Sequence, residues 1–100
     1  MASKNYSVSQ DKSGTYHLQG ELTIHDLEEL KVFLEKALKG GKKKEIVISF
    51  AEVEFIDTAV LQLFIAFKRW IEPETQLKIS ALSTEVEDIL SLSGLRTAFF

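Results

Sequence analysis

The sequence contains no cysteine, which excludes disulfide bonds, thiolate metal sites and cysteine nucleophiles together. It has one proline and five glycines, and the glycines form neither a GxxxxGK nor a GxGxxG phosphate-binding loop. Its two histidines, His17 and His25, fall in different predicted elements and have no supporting cluster of metal ligands or catalytic groups. We therefore expect no enzymatic activity, no metal site and no cofactor.

Long hydrophobic runs and an excess of positive charge are also absent. The longest nearly apolar run, Ala59 to Phe67, is interrupted by Gln62 and is far shorter than the roughly 20 residues of a membrane-spanning helix. The polar amino terminus has no signal-peptide pattern, and a net charge of -3 does not favour nucleic acid as a partner. These features predict a cytoplasmic protein without direct membrane insertion.

The chain has 100 residues, of which 45% are hydrophobic, and this is enough for one compact core but not for two. No linker composition divides it, so we expect a single domain over residues 1–100. The one dense basic run, Lys42 to Lys44, follows Gly40 and Gly41 and predicts a solvated turn rather than a phosphate site.

The first part of the chain predicts a β-hairpin followed by an amphipathic helix. Residues Tyr6 to Ser9 and Thr15 to Gln19 are rich in aromatic and β-branched residues and are separated by turn-forming residues. Gly20 is expected to break the second strand, and Thr23 with Asp26 resembles a capping box at the start of a helix. Apolar residues at three- and four-residue spacing then predict one buried helix face. They are Leu27, Leu30, Phe33, Leu34, Ala37 and Leu38.

The second part alternates strands and helices, which implies parallel strands joined by helical crossovers. Glu45 to Phe50 is nearly continuous in β-branched residues and predicts a central strand covered on both faces. Val53 to Ile56 is expected to be a short extended link. Asp57 and Thr58 then begin a second helix that runs to about Glu72, because Pro73 forbids its continuation.

Leu77 to Leu82 predicts a further strand, followed by a third helix. Ser83 or Thr84 is expected to cap this helix, with Glu87 reciprocal to Thr84, and Gly94 is expected to end it. The whole pattern predicts a sheet of four or five strands with helices packed on it.

Asp57 and Thr58 precede the most hydrophobic helix, and two interpretations stay open. In the first, one of the two residues is only the N-cap, accepting a bond from an orphan backbone amide. In the second, the Thr58 hydroxyl receives a phosphate of about -1.5 to -2 charge, which changes a docking surface. The helix itself is apolar around most of its circumference, so either neighbours bury the surplus or part of it forms a patch. A weak homodimer through this helix or an exposed sheet edge is compatible with the pattern.

The stretch from Glu45 to Ala59, EIVISFAEVEFIDTA, resembles the core signature of STAS domains: a buried strand, a short apolar link, then Asp followed by Ser or Thr. Two further pieces fall in the same order as in that family, Gly20-Glu21-Leu22 before the first helix and Leu92-Ser93-Gly94-Leu95 after the third. The resemblance implies a mixed sheet of four or five strands with three or more helices mainly on one side.

The resemblance also implies a function, that of an anti-sigma factor antagonist. It makes Thr58 the phosphoacceptor, and the partner an anti-sigma factor or serine/threonine kinase-like regulator that is released on phosphorylation. The residues that it implies for the partner surface are Gly20, Glu21, Leu22, Thr23, Asp57, Thr58, Ala59 and Val60. Similar Asp-Thr sequences also resemble STAS subunits of lipid-transport complexes, which implies the alternative of a constitutive docking subunit without phosphorylation.

Overall fold

Four strands form one mixed sheet in the computed structural model, which describes residues 5–40 and 44–100. The strands are β1 (Tyr6–Gln10), β2 (Tyr16–Leu22), β3 (Glu45–Ile56) and β4 (Gln76–Leu82). Their order across the sheet is β1-β2-β3-β4, with β1 antiparallel to β2 and the other two pairs parallel. The predicted mixed α/β sheet and the amino-terminal hairpin are thereby confirmed.

The helices are α1 (Leu27–Gly40), α2 (Thr58–Ile71), α3 (Thr84–Ser93) and the short α4 (Arg96–Phe99). Buried residues of the three long helices, such as Leu30, Phe64 and Val86, share one cluster with Leu18 and Ile48 of the sheet. Ser7, Gln19 and Glu52 lie in register across β1, β2 and β3 and are exposed, whereas Val47 and Ser49, the neighbours of Ile48, are half-buried and buried. The long helices therefore cover one face of the sheet, as the STAS resemblance implies. Full coverage of both faces, which the composition of Glu45 to Phe50 predicts, is not found, because Val47 is only half-buried.

Two sequence-based boundaries are wrong, and both errors concern strand ends. Gly20 does not end β2, because the strand continues to Leu22 through a shift of register between Gly20 and Glu21. Val53 to Ile56 is not a separate link, because it is the last part of a continuous twelve-residue β3. The two extensions pair with each other, up to the Cα partners Leu22 and Ile56, so each supplies the backbone partner that the other needs.

The helix starts and stops agree closely with the sequence. Asp26 Oδ2 accepts hydrogen bonds from the Thr23 amide at 2.8 Å and the Thr23 hydroxyl at 3.1 Å, at the start of a 3-10 turn (Ile24–Asp26) that leads into α1. Ser83, not Thr84, caps α3, with its Oγ accepting from the Val86 amide at 3.1 Å. Glu87 is not the reciprocal partner of Thr84, because it pairs with Arg96.

The end of α3 also lies where the sequence predicts it. Gly94 ends α3 in the left-handed conformation, with φ of 75°. α1 ends at Gly40, and the turn predicted for Lys42 to Lys44 falls mostly on residues outside those described.

Neighbouring elements bury most of the apolar surplus of α2. Six of its residues are buried, and Leu63 packs against the core from a half-buried position. Trp70 is the one large apolar side chain of α2 that stays exposed, at 70%, and the small Ala66 is exposed as well. Phe99 also packs against the core, whereas Phe100 stays 59% exposed.

Candidate functional site

The carboxyl ends of the three parallel strands meet at one edge of the sheet, and Asp57 and Thr58 lie there. The Asp57 amide donates to the Leu22 carbonyl at 3.0 Å, which joins the end of β3 to the end of β2. From the β4 side, the Ser83 hydroxyl donates to the Val53 carbonyl at 2.6 Å. Open α/β sheets place their binding sites outside the carboxyl ends of parallel strands, so this edge is the candidate site.

Asp57 occupies the N-cap position of α2, but its carboxylate does not cap α2. The Asp57 carbonyl accepts from the amides of Val60 and Leu61 at 3.0 and 3.1 Å, as an N-cap carbonyl does. Its Oδ2 instead accepts from the Ile24 amide at 2.8 Å, the first amide of the 3-10 turn before α1. The capping interpretation is therefore correct in position but wrong in its target. Asp57 ties the β2–α1 connection to the start of α2.

Thr58 is the first residue of α2 and is exposed. Within the described residues its hydroxyl makes no hydrogen bond, so Thr58 does not act as a side-chain cap. The first turn of α2 contains no acidic residue, and its amides give the helix start a partial positive charge. A phosphate on this hydroxyl would meet that favourable charge and the opposing carboxylate of Asp57 together.

The structure brings the two halves of the predicted partner surface to this edge. Glu21 and Thr58 are exposed, and Thr23, Asp57 and Ala59 are half-buried.

The expectation that Leu22 and Val60 form part of the partner surface is wrong for their side chains, which are fully buried, each with 0% exposure. Leu22 ends β2 on the covered face of the sheet, and Val60 points inward from the first turn of α2. Their side chains support the surface from beneath and do not reach a partner.

A close contact between β1 and β2 explains why glycine occupies position 20. Its φ is 91°, and a Cβ at this position would lie 2.2 Å from the carbonyl oxygen of Asn5. The next amide, that of Glu21, donates to that same carbonyl at 2.8 Å. Gly20 therefore allows the close approach of β1 and β2 beneath the candidate site.

Two exposed apolar residues at this edge were not predicted from the sequence. Ile24 is 54% exposed, and its amide is the one bound by Asp57. Phe55 is 41% exposed and lies beside Glu21 in the β2–β3 register. The available signal was the pair Phe55-Ile56 at a strand end, because consecutive strand residues point to opposite faces. We call the surface formed by Thr23, Ile24, Phe55, Asp57 and Thr58 the Thr58 edge.

The surroundings of the Thr58 edge are acidic. Residues 20–30 and 51–62 include several Asp and Glu and neither lysine nor arginine. Burial, with the nearby carboxylates of Glu29 and Asp26, raises the pKa of Tyr6 to about 12. Electrostatic complementarity at this edge therefore favours a partner with basic groups.

Neither histidine forms part of a metal or catalytic cluster at this edge, within the described residues. His17 Nε2 bonds to Asp11 Oδ2 at 2.8 Å in the hairpin, where bonds from Ser13 and His17 hold the pKa of the Asp11 carboxyl well below its usual range. His25 is exposed in the 3-10 turn.

Across residues 5–40 and 44–100, no three His, Asp or Glu side chains are grouped as metal ligands. Over the same ranges, no helix has the length and apolar character needed to cross a membrane.

Comparison with known proteins gives a consistent result. A family model described as "Mlab, STAS domain" matches residues 7–99. A comparison with curated protein sequences gives no match.

Among solved structures, an anti-sigma factor antagonist from Mycobacterium paratuberculosis is 20% identical with a TM-score of 0.75, covering 94% of this chain and 82% of that chain. The unphosphorylated anti-sigma factor antagonist SpoIIAA is 20% identical with a TM-score of 0.69, covering 95% and 85%. The phosphorylated form of SpoIIAA from Bacillus is 19% identical with a TM-score of 0.62, covering 95% and 88%. These likenesses establish a SpoIIAA-like α/β fold.

Proposed function

This chain belongs to the STAS domain family, and from that premise we propose that it is a non-enzymatic docking module of the anti-sigma factor antagonist type. The Thr58 edge binds a protein partner, an anti-sigma factor or a serine/threonine kinase-like regulator, and phosphorylation of Thr58 releases it. The module acts in the cytoplasm, as one domain over residues 1–100, in signal transduction that regulates transcription. The observation that carries the proposal is the exposed Thr58 hydroxyl at the start of α2, which makes no hydrogen bond with the described residues, next to an Asp57–Ile24 bond that fixes the edge.

The exposed apolar residues beside Thr58 explain how a phosphate would release a partner. Ile24 and Phe55 are 54% and 41% exposed, and a docked partner would remove both from water. A phosphate among them would add about -1.5 to -2 charge to the contact. Removing water from such a charge without a matched counter-charge is costly, so the docked state would lose more stability than the free state.

Whether a phosphate on Thr58 weakens or strengthens binding depends on the charge of the partner group that faces it. A basic partner group directly opposite Thr58 would attract the phosphate and strengthen binding, whereas an apolar or acidic group would be repelled. The proposal requires the second arrangement at Thr58, with basic partner groups confined to the rim around Glu21 and Glu54. Both of these carboxylates are exposed.

A second function is supported by the same apolar residues. Exposed Ile24 and Phe55 beside Thr58 also suit a permanent interface, as in a constitutive STAS subunit docked on a transporter or signalling complex. In that case Thr58 contributes to the contact and never carries phosphate.

The experiment compares partner binding by Thr58→Glu, Thr58→Ala and the unaltered protein, with the partner first identified by capture from the source cells. The switch predicts that Thr58→Ala keeps full affinity and that Thr58→Glu weakens binding by at least about tenfold. Thr97→Glu is the matched control, because Thr97 is an exposed threonine in α4, whose Phe99 lies with the amino end of β4 and not with the carboxyl ends of the strands. Weaker binding by Thr58→Ala with native stability supports the constitutive subunit, and full binding by Thr58→Glu contradicts the switch.

A further inference from the structure

The far end of α2 carries an exposed aromatic side chain that the Thr58 edge does not use. Trp70 is the single tryptophan of the chain and is 70% exposed. It lies twelve residues after Thr58, which at about 1.5 Å per residue is roughly 18 Å along the helix. Its nearest ring is that of Phe67, with 6.1 Å between the centroids. Tryptophan is enriched among the residues that contribute most of the binding energy at protein interfaces.

Depressions flank the Trp70 side chain on two sides. One, of ≈ 290 Å³, lies between α1 and α2 and has Leu34, Leu63 and Phe67 in its lining. The other, also of ≈ 290 Å³, has Leu38 and Ile71 in its lining. The same surface therefore presents a projecting ring and recesses with apolar walls. A contact between two copies related by a two-fold axis requires a self-complementary surface, and this surface contains both the projection and the recesses.

The charges at this groove favour a second copy as the occupant. Lys31 and Glu35 line the groove, one turn apart on α1, and both are exposed. Neither makes an ion pair within the described part of the chain. A two-fold axis that is perpendicular to α1 and passes between these two residues would bring Lys31 of each copy opposite Glu35 of the other, so the charges would be complementary.

We propose that a second copy of this chain docks on the α1–α2 groove, with Trp70 of each copy packed into the other and Lys31 facing Glu35 across the axis. We expect a weak dimer with a dissociation constant between about 1 µM and about 1 mM. The Thr58 edge lies at the other end of α2 and stays accessible in each copy. A dimer thereby presents two Thr58 edges to a partner.

The first test is sedimentation equilibrium of the purified, unphosphorylated full chain between about 1 µM and about 1 mM, where weak dimers dissociate. Trp70 fluorescence, which reports on this residue alone, is expected to move to shorter wavelength as dimer forms. Trp70→Ala is expected to weaken the dimer at least about thirtyfold. Leu92→Ala is the matched control, because Leu92 is 88% exposed on α3, outside the groove, and its loss is expected to change nothing.

A charge exchange tests the two-fold arrangement itself. Lys31→Glu and Glu35→Lys are each expected to weaken the homodimer by about three- to tenfold, and a mixture of the two variants is expected to form a heterodimer of native affinity. A protein that stays monomeric up to about 1 mM overturns the proposal. So does a dimer that Trp70→Ala leaves intact, or two charge variants that fail to pair in the mixture. None of these measurements involves Thr58, so they are independent of the proposed switch.

Discussion

Replacing Asp57 with alanine removes the carboxylate that binds the Ile24 amide at 2.8 Å and leaves that amide at the Thr58 edge without its partner. Hydrogen bonds to a charged group contribute about 1.5 to 3 kcal/mol, and loss of a capping side chain costs about 0.5 to 2 kcal/mol. Asp57 is half-buried, so water replaces part of the lost bond. We expect Asp57→Ala to lower the free energy of unfolding by about 1 to 2 kcal/mol, or the Tm by roughly 4 to 10 °C.

Urea and thermal denaturation followed by circular dichroism measure this loss. Asp57→Asn keeps an oxygen acceptor without the charge, so we expect about half of the loss. Asp88→Ala is the matched control, because Asp88 is exposed on α3 and has no hydrogen bond or ion pair in the described residues; its effect is expected to stay within about 0.5 kcal/mol. Amide hydrogen exchange should be faster at Ile24 in Asp57→Ala and unchanged at Leu61. Equal stability of the two alanine variants, with native exchange at Ile24, would refute the reasoning.

Three further predictions concern the fold that supports the edge. Gly20→Ala should lower the free energy of unfolding by more than about 1 kcal/mol, because of its φ of 91° and the overlap of a Cβ with the β1 backbone. Gly40→Ala, where a Cβ meets no atom of the described residues within 4 Å, should lower it by nothing, and equal urea midpoints of the two variants would contradict this. Phe64→Ala, at 0% exposure, should lose about 3 to 5 kcal/mol in the same assay, and a loss under about 1 kcal/mol would show that the core is misplaced. The pKa of Tyr6 is raised from 10.0 to about 12, so its contribution to stability is complete below pH 10 and declines as the pH rises from 10 to about 12. Spectrophotometric titration should lose its high-pH component after Tyr6→Phe, and an unchanged high-pH component would contradict the assignment.

Features set by neighbouring residues in the sequence were predicted well. The hairpin turn composition, the α1 periodicity and the stop before Pro73 are local, and each lies where the sequence indicates. Gly94 ends α3 for the same reason, since few residues other than glycine adopt its backbone conformation easily.

Features set by distant residues were not predictable in the same way. The continuation of β2 past Gly20 depends on pairing with β3 residues more than thirty positions away. The choice of Ser83 over Thr84 as the α3 cap goes with the bond from its hydroxyl to the Val53 carbonyl, across 30 positions. Capping preference alone does not separate Ser from Thr strongly enough to decide this.

The candidate site shows the same division between local and distant causes. The start of α2 at Asp57 and Thr58 was predictable from local signals, but the partner of the Asp57 carboxylate was not. That partner, the Ile24 amide, is 33 positions away and belongs to another helix start. The burial of Leu22 and Val60 likewise depends on how β2 and α2 pack, which the STAS resemblance by itself did not separate from surface position.

In the proposed switch, Thr58 is a regulated phosphoacceptor on a docking surface. Intact-mass spectrometry of the protein isolated from its native cells, with fragmentation across residues 57–62, tests it most directly because phosphate leaves a covalent mark. We expect a phosphate on Thr58 in a fraction of the molecules that changes with growth conditions. Unmodified Thr58 in every condition that alters the pathway's output would contradict the switch and favour a constitutive docking subunit.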